Sequence, residues 1–86
     1  MDIRDAGQLA TATLKGSPRW INEGLCFRWA GLVFNKVEGS KIAGHNRFGQ
    51  GHSWVEYAGK CYDAECLEGV ETWIDLPFWQ RLGVIS

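Results

Sequence analysis

Three residues of this 86-residue chain have the types and the order needed for nucleophilic catalysis: Cys26, His52 and Asp63. A thiol attacks only as its thiolate, and a free cysteine has a pKa of about 8.5, so at neutral pH it needs help. Cys26 opens an apolar run just after Gly24-Leu25. A helix starting there would offer the sulfur its unpaired N–H groups and the positive end of its dipole. A histidine can hold the thiolate as an ion pair and later protonate a leaving group. A carboxylate on the far imidazole nitrogen fixes the ring and its tautomer. Nucleophile, base and orienter thus follow one another between residues 26 and 63.

The acid is not settled by spacing. With Ala58-Gly59 as a two-residue turn, Tyr57 faces Lys60, Glu56 faces Cys61, Trp54 faces Asp63 and His52 faces Glu65. Asp63 is then diagonal to His52 and Glu65 directly opposite, both within side-chain reach, so Glu65 is the rival acid. Trp54 shares that face and would wall the site. For the oxyanion, the Cys26 N–H is the first donor expected, with Asn22 and Gln50 as side-chain candidates. Cys61 and Cys66 read as strand residues, Glu56 as a hydrogen-bonding or solvated strand residue, and His45 as a solvated loop histidine. The Cys and His spacings match no standard zinc pair, so neither a metal nor another cofactor is expected.

The run Gly51-His52-Ser53-Trp54-Val55-Glu56-Tyr57, followed by Gly59-Lys60-Cys61-Tyr62-Asp63, resembles the His and Asp segments of transglutaminase-like, papain-related cysteine hydrolases. In that family a His-Ala-Trp-Val-Glu type strand precedes a strand ending in Tyr/Val-Asp. Gly24-Leu25-Cys26-Phe27-Arg28-Trp29 is similar to the family's nucleophile helix, and Ser53 stands where the family has Ala. The resemblance covers residues 24–65. It implies an α+β thiol-hydrolase fold with Cys26 as nucleophile, His52 as base and acid, and Asp63, rather than Glu65, as orienter.

The elements that must position these residues are read from periodicity and punctuation. Asp5 with Gln8, then Leu9, Ala10, Thr13 and Leu14, predict a helix over 5–15 that ends at Gly16 and Pro18. Residues 16–24 read as a loop pinned by Trp20 and Ile21. Residues 25–37 are apolar on nearly every side and predict a buried helix. The glycines of 38–51 predict a loop, with a short strand at 41–43. Strands follow at 52–57 and 60–66, and Pro77 starts a short helix that Gly83 ends. The expected fold is α+β, two to three helices on a small antiparallel sheet, as a single domain over 1–86.

Composition bounds the rest. The chain is 45% hydrophobic and 22% charged with five Trp, a globular profile in which large rings fill a short core. Net charge is −1, which argues against nucleic acid as a direct ligand, and no apolar run approaches the length of a membrane span. Charge is nevertheless segregated: residues 15–47 carry six cations against two carboxylates (+4), and residues 56–75 one cation against six carboxylates (−5). Three Cys without a CxxC pair suggest free thiols in a reducing cytoplasm, and the N-terminus lacks the pattern of a signal peptide. Two partner classes follow. One is a protein or peptide substrate whose amide or thioester a minimal hydrolase or acyltransferase attacks, a small host-modifying toxin being one form of it. The other is a host protein complex bound by a catalytically silent module, such as a small phage-encoded inhibitor of the anti-CRISPR type.

Overall fold

A computed structural model of the protein describes residues 1–47 and 49–83, and of Arg47 the backbone alone. Three α-helices lead the chain: α1 (Ile3–Leu14), α2 (Pro18–Gly24) and α3 (Cys26–Phe34). The four strands β1 (Lys41–Arg47), β2 (Gln50–Tyr57), β3 (Lys60–Asp63) and β4 (Cys66–Val70) form an antiparallel meander in sequence order. A 3-10 turn (Trp73–Asp75) and α4 (Pro77–Arg81) close the described chain. The α+β architecture with an antiparallel sheet is the expected one, with α2 as an additional short helix.

Local chemistry explains where the boundaries differ from expectation. Asp2, not Asp5, caps α1, accepting the Arg4 N–H at 2.7 Å, so the helix starts two residues early. The 16–24 segment is not a loop. Ser17 accepts the Trp20 N–H and Pro18 takes the first helical position, so Pro18 starts α2 rather than stopping α1. α3 is shorter than 25–37 and is not buried all round. Trp29, Ala30 and Val33 face the core, whereas Phe27 is 66% and Phe34 46% exposed. The glycines of 38–51 do not prevent pairing, since β1 runs its full length against β2 with His45 opposite His52. His45 is therefore an exposed strand residue whose ring lies 4.8 Å from that of Trp73, not a loop histidine.

The hairpin turn falls where expected. Ala58 (φ 50) and Gly59 (φ 79) both adopt positive φ, the signature of a type I′ turn, and Tyr57↔Lys60, Glu56↔Cys61 and Val55↔Tyr62 pair in the expected register. The second strand breaks earlier than 66. β3 ends at Asp63, Ala64-Glu65 turn, and β4 returns from Cys66, with a register shift between Cys61 and Asp63. Glu65 is thus displaced from the position opposite His52.

The sheet separates two cores. Val55 and Tyr62 point to α1 and α3, where they pack with Ala6, Ile21, Trp29 and Val33. Trp54 and Cys61 point the other way, against Leu76, Phe78 and Trp79. This alternation is the period-2 rule of a strand buried on both faces.

Candidate active site

His52 and Asp63 lie on the face of the sheet that α4 covers, with side chains 0% and 1% exposed. The His52 Nε2–Asp63 Oδ2 distance is 2.9 Å. Asp63 is held from its other oxygen as well: Oδ1 accepts the Glu65 N–H at 2.9 Å. The early turn at Ala64-Glu65 therefore serves the site. It curls the backbone so that one N–H caps the carboxylate that faces the imidazole. Phe78 lies flat on the other side of the ring, with centroids 4.1 Å apart and planes 7° apart. Carboxylate and stacked ring together fix the imidazole in position and plane.

Cys26 is the first residue of α3, half-buried, in a turn with no side-chain cap. Register explains what it meets. Tyr57 and Lys60 close the two-residue turn as a hydrogen-bonded pair, so Val55 and Ser53 direct their N–H groups the same way, toward β3. β3 has ended before Ser53, and the Ser53 N–H, directed into the vacated place, helps to lower the thiol pKa. The Phe27 N–H, in the first turn of the helix, lowers it as well, by less.

The thiol and the imidazole shift each other. Burial pushes the Cys26 pKa up, but His52, the Ser53 and Phe27 N–H groups and the imidazolium charge outweigh it, so the thiol sits below its ordinary value. Burial pushes His52 down, but Asp63 and Cys26 outweigh it, so the imidazole sits above its ordinary value. Both directions favour the thiolate–imidazolium pair. With Nε2 taken by Asp63, Nδ1 is the nitrogen left for the sulfur. It is sealed from solvent and has no partner at full hydrogen-bond geometry. The contact is close enough to couple the two groups and stops short of an aligned bond, as is common before a substrate closes a site.

The other expected residues are placed differently. Glu65 does not reach His52: its Oε2 meets Arg81 Nη1 at 2.7 Å and its Oε1 accepts from Asn22 Nδ2 at 2.9 Å. Asn22 is 2% exposed and donates to Glu65, so its amide braces α2 against the β3–β4 turn rather than serving an oxyanion. Trp54 is 3% exposed and stacks on Trp73, which makes it core rather than a wall open to substrate. Gln50 is exposed and, with Arg19, Glu23, Gly51, Phe78 and Arg81, lines a cleft of about 380 Å³. That cleft adjoins His52 through Gly51 and Phe78 without including Cys26. Phe78 and Arg81 were not foreseen. Both belong to the short helix that Pro77 announces, but no spacing rule ties that helix to His52.

Among the described residues, no helix is long and apolar enough to cross a membrane, and no group of three or more His, Cys, Asp or Glu is placed to hold a metal. No family model matches the chain, and neither a curated protein nor a solved structure does.

Proposed function

We propose that the chain is a minimal cysteine hydrolase or acyltransferase acting on an amide or thioester of a protein or peptide. The observation that carries this reading is the buried His52–Asp63 pair beside a thiol at a helix start, with the thiol pKa lowered and the imidazole pKa raised. The resemblance of residues 24–65 to transglutaminase-like cysteine hydrolases agrees with it. The Cys26 thiolate forms a bond to the carbonyl carbon, and the C=O electron pair moves onto oxygen. The N–H groups at the start of α3, that of Cys26 first, are the donors nearest the developing charge. Collapse of the tetrahedral intermediate breaks the bond to the amine or thiol, and His52 gives its Nδ1 proton to that leaving group. The acyl-thioester then passes to water or an amine, whose proton returns to His52. Asp63 stays ionised and holds the ring throughout.

The second reading is a binding module that keeps this frame without turnover, of the kind a small phage-encoded inhibitor would use. The exposed Phe27 and Phe34 favour it. The pH dependence of Cys26 alkylation by iodoacetamide, followed at the Cys26 peptide by mass spectrometry, separates the two. A thiolate titrating well below 8.5 and lost in His52→Ala supports the enzyme. An ordinary thiol, indifferent to His52→Ala, eliminates it.

A further inference from the structure

The outward side of α3 carries features that the fold itself does not require. Gly31 sits in the middle of the nine-residue helix, where glycine costs about 0.5–1 kcal/mol relative to alanine. A Cβ built there would meet nothing within 4 Å, so no packing among the described residues calls for its absence. One helical turn to either side, Phe27 is 66% and Phe34 46% exposed. Beside them lies an open groove of about 460 Å³, lined by Thr13 and Leu14 of α1 and by Arg28, Gly31, Leu32 and Asn35 of α3. A bare backbone between two exposed aromatic rings is what close approach of another main chain needs, since helix separation is set by the side chains at the crossing.

The charged residues that line the groove or directly follow its lining residues in sequence are cations. Arg28 is in the groove wall, Lys15 follows Leu14, and Lys36 follows Asn35. None of the three is ion-paired among the described residues. Between Ala6 and Val37 the chain has a single carboxylate, Glu23, and that one is engaged by Arg19.

From these observations we infer that the α1–α3 groove is a docking site for an acidic amphipathic helix of a protein partner, crossing α3 at Gly31. The partner's apolar face covers Phe27, Phe34, Leu14 and Leu32, and its carboxylates meet Arg28 and the flanking lysines. A bilayer fits less well, because the surface is concave where a membrane presents a plane. A nucleic acid fits less well, because the groove floor is apolar and the net charge of the chain is −1. The site does not depend on turnover at Cys26. Phe27 follows Cys26 in sequence, but the groove lies on the side of α3 turned away from the face that Cys26 shares with Trp29, Ala30 and Val33.

The test is selection of a random peptide display library on the immobilised protein, followed by fluorescence titration of the enriched peptides. Gly31→Leu fills the groove and is tolerated by the open space there; Arg28→Glu reverses its charge; Lys60→Glu, on the far hairpin turn, is the control. The expected result is enrichment of acidic peptides with apolar residues at helical spacing. Their Kd should rise about tenfold or more in Gly31→Leu and in Arg28→Glu, and stay unchanged in Lys60→Glu. Circular dichroism on both groove variants confirms that the fold is kept. The inference is overturned if no peptide depends on Gly31 and Arg28, or if the enriched peptides are neutral or basic. It is equally overturned if phosphatidylserine vesicles or a DNA oligonucleotide, but no peptide, bind in a groove-dependent way. None of these outcomes turns on Cys26 alkylation, so the inference and the proposed chemistry fail separately.

Discussion

Replacing Asp63 by Asn isolates what the carboxylate contributes, because the side chain keeps its size in a position that is 0% exposed. The two oxygens of Asp63 each accept one hydrogen bond, from His52 Nε2 and from the Glu65 N–H, both at 2.9 Å. An amide can accept only one of them. If its oxygen keeps the Glu65 N–H, its NH2 faces Nε2, which must then become an acceptor and move its proton to Nδ1. A neutral ring in that tautomer cannot take the thiol proton. The loss is that of one buried charge-assisted hydrogen bond, about 1.5–3 kcal/mol. Carried through His52 to the thiol, that corresponds to roughly one to two pKa units upward for Cys26. The iodoacetamide rate at Cys26 should therefore fall about 10- to 100-fold at pH 7 and recover at high pH, where the thiol ionises unaided. Cys61 and Cys66, whose pKa values burial raises, serve as slow internal references in the same digest. Stability gives a second readout with a definite sign. The His52 pKa is raised, so the stability it contributes is fully present below its unfolded value of about 6.5 and is lost as pH rises through the folded one. The Tm deficit of Asp63→Asn should thus be larger at pH 6 than at pH 9. Alkylation profiles that overlay for the two proteins, with Tm intact, would refute the role given to Asp63.

Three further outcomes follow from the same contacts. Arg81→Ala removes the ion pair that holds α4, and with it Phe78, to the turn that caps Asp63; the pair is 27% and 17% exposed, so its worth is about 1 kcal/mol. Its alkylation profile should move to higher pH with only a few degrees of Tm lost, and Arg81→Lys should recover part of the shift. Burial raises the Glu65 pKa, but Arg81 and Asn22 lower it further, so its stabilisation is present above about pH 4.3 and is lost as pH falls through the folded value. The Tm difference between the native chain and Glu65→Gln should hold steady from pH 5 to 7 and close below pH 4. Gly69→Ala places a Cβ at φ +82 within 2.7 Å of the Tyr62 ring and 3.1 Å of Lys60 Cβ. It should cost about 2–4 kcal/mol in urea unfolding, and a silent substitution would show that β4 does not cross Tyr62 with this geometry.

What could be read in the chain and what could not divide along one physical line. The I′ turn at Ala58-Gly59 sets the parity of β2 and β3, and parity alone puts His52 and Asp63 on one face. That inference rests on local rules with a short range, and it holds as far as the pairing does. It fails at Ala64, where a two-residue turn with its register shift removes Glu65 from the strand. The signal for that turn was weak, because neither Ala64 nor Glu65 is a usual turn residue and the Asx contact of Asp63 that supports it is part of the site. Pro18 reads in sequence as the stop of α1, whereas the hydrogen bond from the Trp20 N–H to Ser17 makes it the start of α2. Phe78 on His52 and Arg81 on Glu65 join residues far apart in sequence through the docking of α4, and no periodicity encodes a contact of that kind. The exposure of Phe27 and Phe34 was hidden for the opposite reason. An all-apolar run reads as buried, and it does so whether the second covering surface belongs to the same chain or to another. The helix that looked wholly buried in sequence and half-covered in structure is therefore the element whose missing cover most needs to be found.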